Sequence, residues 1–251
     1  MQILSSPSRA KQLPTGERGF SLVEIAVVLI IITLLLTMVA VPLATQIEQR
    51  RVEDTQKFLE NAKDALYGFA AANGRLPCPA TAGSSGQEAP LGGGVCTTMV
   101  GFLPAVTLGI TPVDASGFAA DAWADGTAAR RIRYATSTSN ASALTTTDGV
   151  KTQTMTSVAT STHLYVCSTG LVATPPIANC GVTVPMLTDK APAVLFSLGK
   201  NNTTNSFDEI NNQNGDKVFS SGTPNATFDD MVTWMSLNTL FDRMLKGNRL
   251  P

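Results

Sequence analysis

Residues 25–44 read IAVVLIIITLLLTMVAVPLA, 20 consecutive positions without a charge, and they follow directly on Arg18-Gly19-Phe20-Ser21-Leu22-Val23-Glu24. As a helix this run rises about 30 Å, the thickness of a bilayer's hydrocarbon core. It therefore predicts a transmembrane helix over residues 20–44. A secretory signal peptide has a shorter apolar region, roughly 7–15 residues, ending in a small-x-small cleavage site. The stretch VAVPLAT puts Pro42 where a small residue is needed. Pro42 is expected instead to kink the helix late in the span. Residues 1–19 carry Arg9, Lys11 and Arg18 against Glu17, a net charge of 3 − 1 = +2, and a long polar segment follows the span. That asymmetry predicts a cytoplasmic N-terminus with the bulk of the chain on the other side.

Glu24 lies just inside the apolar stretch. A lone carboxylate at bilayer depth costs about 2.5–3.5 kcal/mol. Either it marks the headgroup boundary, or it meets a cation inside a protein assembly. Its surroundings decide between the two. Arg18-Gly19-Phe20-Ser21-Leu22-Val23-Glu24 before an apolar helix resembles the type IV prepilin and pseudopilin signature. The resemblance implies that a prepilin peptidase cuts between Gly19 and Phe20, discards the leader 1–19 and N-methylates Phe20. It further implies that Glu24 pairs with the Phe20 amine of a neighbouring subunit, offsetting the desolvation of both charges and fixing the axial register. The partners so implied are the peptidase, other pilin or pseudopilin subunits and an inner-membrane assembly platform. The implied location is the bacterial inner membrane, single pass, with a periplasmic head, and afterwards a filament.

Past the span the chain reads as an amphipathic helical stem over residues 45–72. Val52, Thr55, Leu59, Ala62, Leu66 and Phe69 recur at 3–4 spacing, and charged residues cover the remaining faces. Asn73-Gly74 is a stop signal, and Pro77 and Pro79 follow it. A stripe ending this way predicts packing on the next domain rather than a free coiled coil. Asn73-Gly74-Arg75-Leu76-Pro77 is also similar to the segment after the long helix of many pseudopilins.

Residues 73–251 read as an exported α+β head. Five glycines among residues 80–94 predict a surface loop, and residues 103–110, 132–134, 163–167 and 193–198 predict strands. Fifteen of the 27 residues from Thr136 to Thr162 are Ser or Thr. With a turn at Thr147-Asp148-Gly149 they predict a β-hairpin rather than a disordered tract. Residues 228–245 predict a closing amphipathic helix, with Asp229 and Asp230 at its N-terminus. The four cysteines, Cys78, Cys96, Cys167 and Cys180, include no C-x-x-C, which disfavours a zinc or redox motif. They allow three pairings, of which sequence proximity favours Cys78–Cys96 and Cys167–Cys180, in keeping with an oxidising compartment.

Composition narrows the chemistry. Eighteen Lys and Arg against 19 Asp and Glu leave no basic excess for phosphate contacts, so a nucleic-acid partner is not expected. Arg130, Arg131 and Arg133 read as a solvated strand edge. The one histidine, His163, reads as structural, and Ser197-x-x-Lys200 lacks the companion motifs of the serine hydrolases that use it. No catalytic residue and no cofactor are expected. Asp121-Ala122-Trp123 and Arg133-Tyr134 resemble a stretch of major pseudopilin heads in which the aromatic residues are structural. Some pseudopilin heads bind calcium, which makes Asp208, Glu209 and Asp216 in FDEINNQNGDKVF weak candidates; the spacing is not that of an EF-hand, and an asparagine-rich turn explains the same letters.

Taken together, the expectation is a pilin-like α+β protein whose long N-terminal transmembrane and amphipathic helix packs on an antiparallel sheet. Its expected role is a structural subunit, a minor one, of a type IV pilus or type II secretion pseudopilus. The alternative is a membrane-anchored binding module for DNA, a surface or a secreted substrate.

Overall fold

The computed structural model describes residues 19–201 and 206–250, with the side chains of residues 37–44 outside the described set. The chain divides into two compact units, residues 1–48 and 49–251. Helix α1 (Leu22–Asn73) begins in the first and ends in the second.

The expected transmembrane helix is overturned: among the described residues no helix is long and apolar enough to cross a membrane. Glu24 stands in the first turn of the helix. The kink expected at Pro42 falls among the side chains outside the described set, as does most of the leader, residues 1–18.

The second unit is built from why its strands need two neighbours. Strand β5 (Ala193–Ser197) is buried at all five positions, so it must be covered on both faces. Leu195 points into a core with Leu59, Ala62, Leu66 and Ala70 of α1 and with Leu240, Phe241 and Met244 of α7 (Leu237–Lys246). Val194 and Phe196 point the other way, onto Leu164, Val166 and Phe219. That alternation is the two-residue period of a strand. The result is three layers. Helices α1 and α7 lie on a four-stranded antiparallel sheet in the order β1 (Val100–Phe102), β2 (Arg133–Thr136), β5, β7 (Met231–Trp234). Beneath it lies a second sheet in the order β4 (Met186–Ala191), β3 (Leu164–Ser168), β6 (Val218–Ser221). Its β3–β6 pair is parallel, so the head is not the single antiparallel sheet expected.

The stem behaves as its stripe dictates. Thr55, Leu59, Ala62, Leu66 and Ala70 are buried, Tyr67 is buried beside them, and Val52 and Phe69 of the expected stripe are half-buried. Gly74 ends the helix at φ +69°, its N–H donating to the Ala70 carbonyl at 2.8 Å, as a glycine after a helix does.

Three expectations fail for tertiary reasons. The Ser/Thr-rich stretch contains no hairpin; it forms short helical turns α3 (Ser139–Ser142), α4 (Gly149–Gln153) and α5 (Met155–Thr160). These close over the α1 core with Ala143, Leu144, Val150 and Val158. Residues 103–110 hold Pro104 followed by the single-turn helix α2 (Ala105–Leu108), not a strand. The closing helix starts late, at Leu237 behind the Ser236 cap, because β5 takes residues 231–234 as its second antiparallel neighbour. Asp229 and Asp230 therefore precede a strand rather than cap a helix.

Candidate functional site

The N-terminal motif is placed simply. Ser21 accepts the Glu24 N–H on its Oγ at 3.2 Å, and Glu24 Oε2 accepts the Ser21 N–H at 2.9 Å. This reciprocal pair is a capping box, spelled S-x-x-E in the sequence, and it starts α1 at Leu22. Phe20 is 83% exposed, and a Cβ added at Gly19 would meet nothing within 4 Å. Beyond Glu24, the apolar side chains of Ile25, Val27, Val28, Leu29, Ile30, Ile31 and Ile32 are all exposed. Successive residues point around the whole helix, in contrast to the one-sided stripe of the stem.

At the other end of α1 the chain turns on a buried ion pair. Arg75 donates through both terminal nitrogens to Glu88, each at 2.7 Å, and the two side chains are 7% and 5% exposed. Glu88 also accepts the Cys78 and Gly92 N–H groups, each at 3.1 Å. The carboxylate thereby organises the glycine-rich loop that the Cys78–Cys96 disulfide closes. Gly93 (φ +77°) passes so near that a Cβ there would sit 2.6 Å from the guanidinium. The second disulfide joins Cys167 to Cys180, so the bonds are the two that sequence proximity favours. Tyr134, fully buried, donates to the Pro77 carbonyl at 3.1 Å and pins the same turn to the sheet.

The calcium candidates are not brought together. Asp208 accepts the N–H groups of Gly170 and Leu171, at 2.8 and 3.2 Å. Asp216 accepts those of Val218 and Ile177, at 2.8 and 3.3 Å, and burial raises its pKa. Both carboxylates close loops. The expected asparagine-rich turn is instead helix α6 (Phe207–Gln213), capped by Ser206. Of the three only Glu209 joins a close carboxylate cluster, with Asp229 and Asp230, one ligand oxygen from each residue lying within 4.8 Å of the others. Burial, followed by the charges of Glu209, Asp229 and Asp208, pushes Asp230 up to about 8 despite the bond from Asn212. Sequence reasoning missed the trio because Glu209 lies about twenty residues from the other two; the only signal was the pair Asp229-Asp230, which reads in the sequence as a helix N-terminus.

The remaining candidates serve the fold. Ser197 is fully buried and donates to Asp121 Oδ2 at 2.7 Å; burial raises the Asp121 pKa. His163 is buried, with Nε2 donating to the Val158 carbonyl at 2.8 Å. That bond sets the tautomer, so Nδ1 accepts from the Ser137 hydroxyl, also at 2.8 Å. Burial lowers its pKa below the usual histidine range. The expected solvated arginine edge is in fact engaged. Arg130 donates to the Gly199 carbonyl and Arg131 to Asp114, while Arg131 and Arg133 also lie over the rings of Phe118 and Phe102.

No protein-family model matches the chain, and neither a curated protein nor a solved structure matches it.

Proposed function

We propose that the chain is a structural subunit, a minor one, of a filament of pilin-like proteins, either a type IV pilus or a type II secretion pseudopilus. One observation carries this: a single helix starts at a Gly-Phe-Ser-Leu-Val-Glu sequence and then exposes apolar side chains on every side. A helix of that kind gains about 25 cal/mol for each Å² that other helices cover, which is how a filament core is held. Prepilin peptidase cuts between Gly19 and Phe20, where the folded chain makes no steric demand for glycine and Phe20 is open. The amine released on Phe20 then meets Glu24 of an adjacent subunit, and that carboxylate exchanges the Ser21 N–H for a full positive charge. Two disulfides fit a head that works in the oxidising periplasm. The assembly platform supplies the mechanical work, and the head presents the surface.

Expression with a prepilin peptidase, followed by intact-mass analysis, tests the processing. The expected product lacks residues 1–19 and carries one methyl group; an intact leader refutes the proposal. The Glu24→Ala chain is expected to be cut normally and yet be absent from sheared filaments. Normal incorporation would remove the role given to Glu24.

A further inference from the structure

Arg130 and Arg131 precede β2, and Arg133 is its first residue. The first two have oxygen partners. Arg130 donates to the Gly199 carbonyl at 2.6 Å and lies 3.6 Å from Asp125, and Arg131 donates to Asp114 at 2.8 Å. Arg133 differs. Among the described residues it forms no ion pair, and its half-buried side chain donates no hydrogen bond. The guanidinium lies over the Phe102 ring, 4.5 Å from the centroid, while its Nε is buried and unbonded. The one charged group acting on it is Arg131, which is also positive.

This arginine lines a cavity of about 80 Å³ whose other walls are Val100 of β1, Phe196 of β5, Leu198 just past it, and Asn212 and Gln213 at the end of α6. Arg133 and Phe196 are directly opposed across β2 and β5, so both project from the same face of the sheet. Asn212 is a wall and not a donor, because its amide is committed to the Ser220 carbonyl and Asp230, at 3.1 and 2.8 Å. A buried carboxyl can escape its charge by taking up a proton, but a guanidinium stays charged at neutral pH. The aromatic ring compensates it only in part. What remains is an unpaired cation beside an apolar hollow, a costly arrangement that an anion would offset.

We propose that this cavity binds a carboxylate carried on a short apolar group, with the Arg133 guanidinium as its receptor. The planar fork offers two parallel N–H groups to the two oxygens of a carboxylate. Val100, Phe196 and Leu198 take the apolar group. The volume holds on the order of six water-sized groups, enough for a carboxylate and about three further carbons. A phosphate brings more charge and more acceptors than one fork among apolar walls can satisfy. A free short-chain acid and the C-terminal residue of another polypeptide both present the required chemistry. The site does not depend on the proposed filament role.

The test uses the full chain in nonionic detergent micelles, labelled with nitrogen-15 arginine, and follows the arginine Nε–H signals by NMR. Sodium butyrate is titrated to about 20 mM, above the millimolar Kd expected of so small a ligand, against sodium chloride at equal ionic strength. The Arg133 signal, identified by its loss in Arg133→Lys, is expected to move saturably. Arg133→Lys keeps a charge but lacks the fork, and calorimetric titration should show binding weakened at least about tenfold. Arg133→Met is expected to abolish binding with Tm unchanged or higher, because an uncompensated buried charge is removed. Displacement of butyrate by a peptide ending in a free leucine carboxylate, but not by its C-terminal amide, would make a chain terminus the source; no displacement would make it a free acid, and both support the site. Movement with inorganic phosphate but not with butyrate would overturn the carboxylate assignment. An unmoved Arg133 signal, or butyrate binding kept in full by Arg133→Met, would overturn the proposal.

Discussion

Glu88 and Asp230 are buried to a similar depth, 5% and 1% exposed, and are compensated in opposite ways. Glu88 faces a bidentate guanidinium and two backbone N–H groups; Asp230 faces one amide and three further carboxylates. The difference teaches that burial alone says little about what a carboxylate does. The first is a finished structural joint whose charges cancel within the chain. The second is balanced by a proton taken up from solvent.

Breaking the finished joint should cost most. Arg75→Met leaves Glu88 buried without its cation, and urea unfolding is expected to show a loss of about 3–5 kcal/mol. Arg75→Met with Glu88→Leu should recover most of that loss, because two apolar groups replace both charges at once. Next comes the covalent closure of the same loop. Replacing Cys78 and Cys96 by Ser is expected to cost about 3 kcal/mol by loop entropy, read as a lower urea midpoint under non-reducing conditions. At the unfinished site the sign should reverse. At pH 7, Asp230→Asn replaces a carboxyl that its burial already holds largely protonated and is expected to leave stability unchanged or raise it by about 1 kcal/mol, whereas Glu88→Gln destabilises. His163 gives the smallest effect. Its folded pKa lies below its unfolded value near 6.5, so the unfolded chain binds the extra proton. Stability should hold above about pH 6.5, decline as pH falls through the window down to the folded pKa, and then level off. Melts across that range, with His163→Gln lacking this component of the slope, check it.

Much of the helical part was legible because its determinants are local. The stripe through Leu59 and Leu66, the stop at Asn73-Gly74 and the cysteine pairing all depend on near neighbours in sequence. Ser21-x-x-Glu24 is equally legible, as the capping box that starts α1. The head was harder to read. Residues 136–162 favour strands by composition, yet they form short helices and turns that bury Leu144, Val150 and Val158 in the α1 core. Residues 231–234 fit a helical period as well as a strand, and the choice was made by the second edge of β5. The acidic trio is wholly tertiary: nothing near Glu209 in the sequence announces Asp229 and Asp230. The span across the bilayer was the opposite error, a local pattern taken further than the described helix supports.

Strand β5 has one more consequence. Leu195 belongs to the helix-side core, while Val194 and Phe196 belong to the core between the sheets. The strand is thus a party wall, and neither room can be emptied without disturbing the other. The two cores must melt together as one cooperative unit, and the backbone amides of residues 194–196 should open only when the whole head does.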